Sequence, residues 1–227
     1  MIKAVIWDFG GVLTSSPFEA FRRFEFDRGI PADFIRGVNA KNPDSNAWAR
    51  FERAEIALEE FDALFEAESS SAGHAIKGSH VVALLGGELR PKMVRALELC
   101  ASHYRVGCIT NNVPAGRGSG TRLGEAGASL RRSQVAFDAQ HAAAIKRVMA
   151  LFHHVVESKR VGIRKPDPKI YLMACAALGV SPVDAVYLDD LGVNLKPARE
   201  LGMTTIKVSD PDAALAELEQ ILGRKLL

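Results

Sequence analysis

The stretch that decides the fold is Val5-Ile6-Trp7-Asp8-Phe9-Gly10-Gly11-Val12-Leu13. An apolar run ends in one carboxylate, and two glycines follow directly. Buried strands of a parallel sheet read as near-continuous apolar runs, and ligands of open α/β sheets bind beyond the strands' carboxyl ends. Asp8 therefore stands where a reactive group belongs, on a turn with little side-chain bulk around it. A carboxylate in that place can act as a covalent nucleophile, as a metal ligand, or as both. The plainer reading, a turn or helix-capping aspartate, also fits the segment taken alone.

Further along the chain, short β-rich apolar runs recur at Arg105–Thr110, Val155–Ser158, Ala185–Leu188 and Thr204–Val208, echoing Ala4–Phe9. Stripes with the spacing of core-facing helices fall between or after them. They are Ile145, Val148, Met149 and Phe152; Tyr171, Ala174, Cys175 and Leu178; and Leu215, Leu218 and Leu222. This alternation predicts right-handed βαβ units and a doubly wound, Rossmann-like parallel α/β sheet.

The interval from Leu13 to Arg105 breaks the alternation. It holds helical stripes (Phe18, Phe21 and Phe24; Leu58, Phe61, Leu64 and Phe65; Met93, Leu97, Cys100 and Tyr104) and no convincing strand. The expected organisation is an α/β core of residues 1–14 and 90–227, with a helical cap subdomain of residues 15–89 inserted after the first strand. The acid-rich run from Glu52 to Glu68, with Arg53 its one base, reads as a solvated helix face. Ser69–Gly73 and Pro114–Gly120 have the composition of flexible segments. The second opens a long connection bearing Arg117, Arg122, Arg131 and Arg132, either a basic loop for an anionic substrate or a solvent-exposed linker.

Composition narrows the function classes. With 227 residues, 48% hydrophobic and 25% charged, the chain reads as an ordinary globular protein. A net charge of +2, with no basic helix, argues against a nucleic-acid partner. No apolar run approaches the roughly 20 residues that cross a bilayer, so no stable membrane insertion is expected. The first strand starts too early for a signal peptide. Cys100, Cys108 and Cys175 lie in apolar stretches without metal-type spacing, as buried free thiols of a reducing compartment would. The expected location is the cytoplasm. Oligomeric state stays open, a homodimer included.

Three later segments end strands in polar residues. Val106-Gly107-Cys108-Ile109 runs into Thr110-Asn111-Asn112, which alone is ordinary turn chemistry. Val186-Tyr187-Leu188 runs into Asp189-Asp190, followed by Gly192 and Asn194. Adjacent buried acids repel each other and favour a cation between them. In Gly162-Ile163-Arg164-Lys165-Pro166-Asp167-Pro168 the prolines fix the backbone after Lys165 and start the next helix. A carboxylate, a hydroxyl and amide, a fixed ammonium and a carboxylate pair form an inventory for phosphate with a hard divalent cation such as Mg²⁺.

These four segments, in this order, resemble the four motifs of the haloacid dehalogenase superfamily of hydrolases, and the helical interval matches that family's cap. Val161–Pro168 and Leu188–Arg199 are most similar to the branch containing the amino-terminal phosphatase domain of soluble epoxide hydrolase. The resemblance implies a magnesium-dependent phosphomonoesterase acting through an aspartyl-phosphate on a small or lipid-like organic phosphate. It makes Asp8 the nucleophile and a magnesium ligand, and puts Thr110 and Asn111, with the Gly10-Gly11 turn, at the phosphoryl group. Lys165 would neutralise charge shared by Asp8 and phosphate. Asp190 and the Gly10 carbonyl would bind the metal directly, Asp189 through water, and Asn194 would support the acidic loop.

One departure matters. Most phosphatases of the family carry a second aspartate, the general acid and base, two positions after the nucleophile; here Gly10 stands there. Such a group contributes on the order of 10²–10⁴-fold. Two alternatives therefore stand beside the phosphatase: a catalytically weak or inactive binding protein of the same fold, and a 2-haloacid dehalogenase, which lacks a paired Asp189-Asp190. Phe18, Trp48 and Arg50 are cap residues that would line a substrate pocket or simply pack within the cap. The connection between Thr110 and Lys165 is also longer than is usual in the family.

Overall fold

The structure, a computed structural model, describes residues 1–113 and 140–226. The arginine-rich connection opened by Pro114–Gly120 lies outside the described residues. In chain order, strand β1 (Ala4–Trp7) is followed by helices α1 (Pro17–Asp27), α2 (Phe34–Ala40), α3 (Ala47–Glu52), α4 (Leu58–Ser71), α5 (Gly78–Val82) and α6 (Pro91–Ala101). Next come β2 (Arg105–Thr110), helix α7 (described over 140–149), β3 (His154–Glu157), α8 (Ser158–Val161) and α9 (Pro168–Leu178). The chain closes with β4 (Ala185–Asp189), α10 (Gly192–Glu200), β5 (Thr204–Lys207) and α11 (Pro211–Leu222). The strands are the runs read from sequence, shifted at some ends by a residue or so.

All five strands pair in parallel in the order β3-β2-β1-β4-β5. Side chains of β1 alternate between two buried layers. Val5 and Trp7 pack with α6, α7 and α11, while Ala4 and Ile6 pack with α9 and α10. Trp7 pairs with Cys108 on one side and Leu188 on the other, so Asp8 and Asp189 emerge side by side. The connections diverge on either side of β1, which makes the end of β1 the topological switch point of the sheet, where doubly wound folds bind ligands. The loop that begins α9 is set by local chemistry: Pro168 occupies the first turn and Asp167 accepts from the Lys169 N–H at 2.9 Å. All three cysteines are buried free thiols.

Helices α1 to α5 build a separate aromatic core around Phe21, Phe51, Phe61 and Phe65, with Phe51 stacked on Phe61 at 4.4 Å. The chain leaves and rejoins the sheet layer across a bridge between Thr14 and Leu89. The Ser15 N–H donates to the Glu88 carbonyl, and the Arg90 N–H to that of Leu13, both at 2.8 Å. Within this layer the buried Glu25 carboxylate stitches α1 to α2, accepting from the Asp33 and Ile35 N–H groups at 2.9 Å each.

Two expectations change. Ser69–Ser71 end α4 rather than forming a flexible segment, because the buried Ser69 hydroxyl accepts from the returning Ile76 N–H at 2.9 Å. The acid run is not uniformly solvated: Glu52 is buried. No helix of the described residues is long and apolar enough to cross a membrane.

Candidate active site

Asp8 directly follows the central strand and is 7% exposed. Its Oδ1 accepts from the Phe9 N–H at 2.6 Å and pairs with Lys165 Nζ at 2.7 Å. Its Oδ2 has no protein partner among the described residues. The two glycines that follow serve different ends. Gly11 has φ +78, and a Cβ there would lie 2.2 Å from Asp190 Oδ2, so only glycine lets the Asp190 carboxylate approach this turn. Gly10 has no such demand: a Cβ there would meet nothing within 4 Å.

Asp189 ends β4 fully buried and is saturated with donors. Its Oδ1 accepts from the Leu191 N–H at 2.8 Å and from Asn194 Nδ2 at 3.1 Å. Its Oδ2 takes Lys165 Nζ at 2.9 Å, Asn194 Nδ2 at 3.1 Å and a short bond from the Tyr187 hydroxyl. Tyr187 and Asp189 share a strand face because they are two residues apart, a signal that alternation alone carries. Tyr171 adds to the same network by donating to the Asn194 carbonyl at 2.7 Å. Asp190, beside Asp189, is half-buried, and carboxylate oxygens of Asp8, Asp189 and Asp190 lie within 4.8 Å of one another.

Lys165 is 1% exposed, and the Asn111 amide holds its backbone. Asn111 Oδ1 accepts from the Lys165 N–H at 2.9 Å, and its Nδ2 donates to the Lys165 carbonyl at 3.1 Å. That side chain, expected at the phosphoryl group, is thus committed to the lysine loop. Thr110 ends β2 half-buried, its hydroxyl without a protein hydrogen bond among the described residues. Sequence reasoning missed two further residues, Glu52 and Arg90. Glu52 comes over from α3 to pair with Arg164 Nε at 2.6 Å; it also accepts from Trp48 Nε1 at 2.9 Å and from Asn111 Nδ2 at 3.4 Å. Arg90 Nη1 donates to the Gly11 carbonyl at 2.8 Å. Of the loose pocket candidates, Phe18 lies under Arg36 and against Phe21, Trp48 packs on Phe61, and Arg50 pairs with Glu60, all inside the cap helices.

The electrostatics follow from burial. Desolvation raises the Asp8 carboxyl to about 8; Lys165 opposes the shift and the Asp189 charge adds to it. Desolvation, then the Asp189 charge, raises Asp190 to about 6. Burial works against the Lys165 ammonium, yet Asp189 and Asp8 overcome it and hold the lysine protonated well above its usual range. Three carboxylates around one ammonium leave excess negative charge. Asp8 Oδ2 and the Asp190 carboxylate are the hard oxygen donors not spent on protein, and that donor set fits a magnesium ion.

The haloacid dehalogenase-like hydrolase family matches residues 2–202. The chain belongs to this family of hydrolases. It is 35% identical over 97% of its length to acyl-CoA dehydrogenase family member 10 of Mus musculus, covering 19% of that protein. It is 30% identical over 100% of its length to bifunctional epoxide hydrolase 2 of Sus scrofa, covering 40%. The chain thus spans well under half the length of these curated relatives. Sesquiterpene phosphatase astK of Aspergillus oryzae is 28% identical over 97% of both chains. Among solved structures, a HAD enzyme of Bacteroides thetaiotaomicron complexed with magnesium and inorganic phosphate shares the fold. Its TM-score is 0.57 at 18% identity, over 91% of this chain and 94% of that one.

Proposed function

We propose that the protein is a magnesium-dependent phosphomonoester hydrolase acting on a small or lipid-like organic phosphate. The observation that carries this reading is the asymmetry of Asp8. One carboxylate oxygen is pinned by Lys165 and the Phe9 amide, while the other is free at the switch point of the sheet. A phosphatase relative matched along 97% of its length, and a fold neighbour holding magnesium and phosphate, support it. In this reading residues 15–89 form a cap over a core of residues 1–14 and 90–227.

A carboxylate oxygen of Asp8 forms a bond to phosphorus as the bond from phosphorus to the substrate's alcohol oxygen breaks, leaving an aspartyl-phosphate on Asp8. Water then cleaves that acyl phosphate, releasing inorganic phosphate and restoring the carboxylate. Lys165, held protonated, offsets charge on Asp8 and the phosphoryl oxygens. Thr110 offers its hydroxyl to the phosphoryl group, and Asn111 acts by fixing the Lys165 backbone. Asp8, Asp190 and the Gly10 carbonyl would hold magnesium, with Asp189 contributing through water and Asn194 bracing it; the ion supplies charge neutralisation at the phosphate. Gly10 brings no carboxyl to the leaving oxygen, so its proton comes from water. Substrates with good leaving groups are the ones this arrangement serves best.

The test is release of the phenol, which leaves in the first step, and of phosphate from an aryl phosphate with and without magnesium. A burst and turnover that require magnesium and vanish in Asp8→Asn carry the reading. Turnover that persists in Asp8→Asn defeats it, and no turnover of any phosphomonoester would favour the binding protein that Gly10 motivates.

A further inference from the structure

Among the described residues, Glu52 is the one carboxylate of the cap helices that bonds side chains of the sheet layer. Its surroundings are unusual for a contact that only holds two layers together. Desolvating a carboxylate is costly, and a buried ion pair generally stabilises less than well-packed apolar side chains would. The aromatic core of α1 to α5 adjoins Glu52 through Phe51 and Trp48, so apolar material was at hand. The partners that Glu52 finds across the interface are specific. Arg164 immediately precedes Lys165 in the chain. Asn111 is the residue whose amide brackets the Lys165 peptide on both its N–H and its carbonyl.

Two routes therefore run from one cap carboxylate to one ammonium. The first passes from Glu52 Oε2 to Asn111 Nδ2 at 3.4 Å and on to the Lys165 backbone at 3.1 Å and 2.9 Å. The second passes from Glu52 to Arg164 at 2.6 Å, and Arg164 in turn donates from Nη1 to the Pro43 carbonyl of the cap at 2.8 Å. Both end at a side chain whose Nζ is 2.7 Å from Asp8 and 2.9 Å from Asp189. We propose that Glu52 is a positioning residue: by gripping Asn111 and Arg164 when the cap layer is seated, it sets the lysine that pairs with the nucleophile. Seating the cap and aligning the ammonium are then one event. The inference rests on the phosphatase reading for its kinetic consequence, but the alignment of Lys165 can be measured without turnover.

Glu25 is the matched control, a buried cap carboxylate bonded only to cap backbone amides. Glu52→Ala, Glu52→Gln and Glu25→Gln are compared by two readouts. The first is kcat and KM on p-nitrophenyl phosphate with magnesium. The second is the rate at which Lys165 is acylated by an amine-reactive ester, followed by peptide mass spectrometry, together with a thermal melt.

Glu52→Ala is expected to lower kcat by about 10²-fold, the loss that follows a small misplacement of a reacting group. It should also speed acylation of Lys165. Glu52→Gln keeps an acceptor for Asn111 and Trp48 and should recover part of kcat, whereas Glu25→Gln should lower the melting temperature and leave kcat and Lys165 labelling as in the parent. A change in KM alone, or equal Lys165 labelling in the Glu52 and Glu25 variants, overturns the proposal. If the parent protein turns over no phosphomonoester, the functional reading fails. Labelling then decides alone: selective exposure of Lys165 in Glu52→Ala sustains the positioning role, and its absence removes it.

Discussion

The loops that end β1 and β4 lie side by side and both carry aspartates, yet they are built in opposite ways. Asp189 is enclosed by the Leu191 amide, Asn194, Tyr187 and Lys165, and neither oxygen is left to act. Asp8 is anchored through one oxygen only, on a turn where Gly10 has open space around it. A saturated carboxylate is a fixed charge that orients its neighbours; a half-anchored one can form a bond. In the proposed reaction the β4 loop is scaffold and the β1 loop is the reacting end. Substitutions should separate the two.

The largest contrast is between Asp8→Asn and Asp189→Asn. Asp8→Asn should abolish turnover while the protein melts close to the parent temperature, since burial already disfavours that charge. Asp189→Asn removes the fully buried partner of Lys165, leaving the ammonium with Asp8 alone, and should cost stability by about 3–5 kcal/mol, read by denaturant titration. Equal melting losses in the two variants would erase the distinction. Lys165→Ala extends the comparison: it leaves both aspartates uncompensated and should remove nearly all activity, whereas Lys196→Ala, exposed on α10, should change turnover and stability by no more than about 0.5 kcal/mol.

These contrasts also mark what was legible in the sequence. The strand ends were, because period and composition place Asp8, Thr110 and Asp189 at one edge before any contact is known. Glu52 was not. In its run of acids nothing distinguishes it from Glu59 or Glu60, and only the seating of α3 over the Arg164 loop makes it a buried partner. Asn111 falls on the expected loop, but its grip on Lys165 is not legible, since a side-chain amide bonding a backbone 54 positions away leaves no mark on spacing. Local pattern fixes elements; partners across layers depend on how the layers meet.

A pH series sharpens the comparison through the charges themselves. Asp8 and Asp190 are raised to about 8 and about 6, so over the interval above the ordinary carboxylate range the folded state holds protons that the unfolded chain has released. Their contribution is fully present below that range and is lost as pH rises through the two values. Without magnesium the melting temperature should therefore fall between about pH 5 and pH 8. Magnesium should reverse the trend, because deprotonated oxygens bind it; stabilisation of about 2.7 kcal/mol is expected at 100 times its dissociation constant. A magnesium effect that is the same at both ends of the range would place the ion away from these carboxylates.

The most diagnostic effects come from the two adjacent glycines. Gly11→Ala places a Cβ against Asp190 at a positive φ and should cost about 1–3 kcal/mol while weakening magnesium binding. Gly10→Asp meets no such obstacle: its backbone is not in the left-handed region and nothing lies within 4 Å of the new Cβ. It should fold with a melting temperature near the parent's. If proton supply to the leaving oxygen limits the reaction, Gly10→Asp should raise turnover of alkyl phosphates about tenfold, below what an evolved acid contributes. Aryl phosphates, whose oxygen departs without a proton, should hardly change. The ratio of the two rates isolates the proton from every effect on binding or folding. A folded, magnesium-binding Gly10→Asp protein with an unchanged ratio would mean that another group already protonates the leaving oxygen, and the open space beside Asp8 would then belong to the substrate instead.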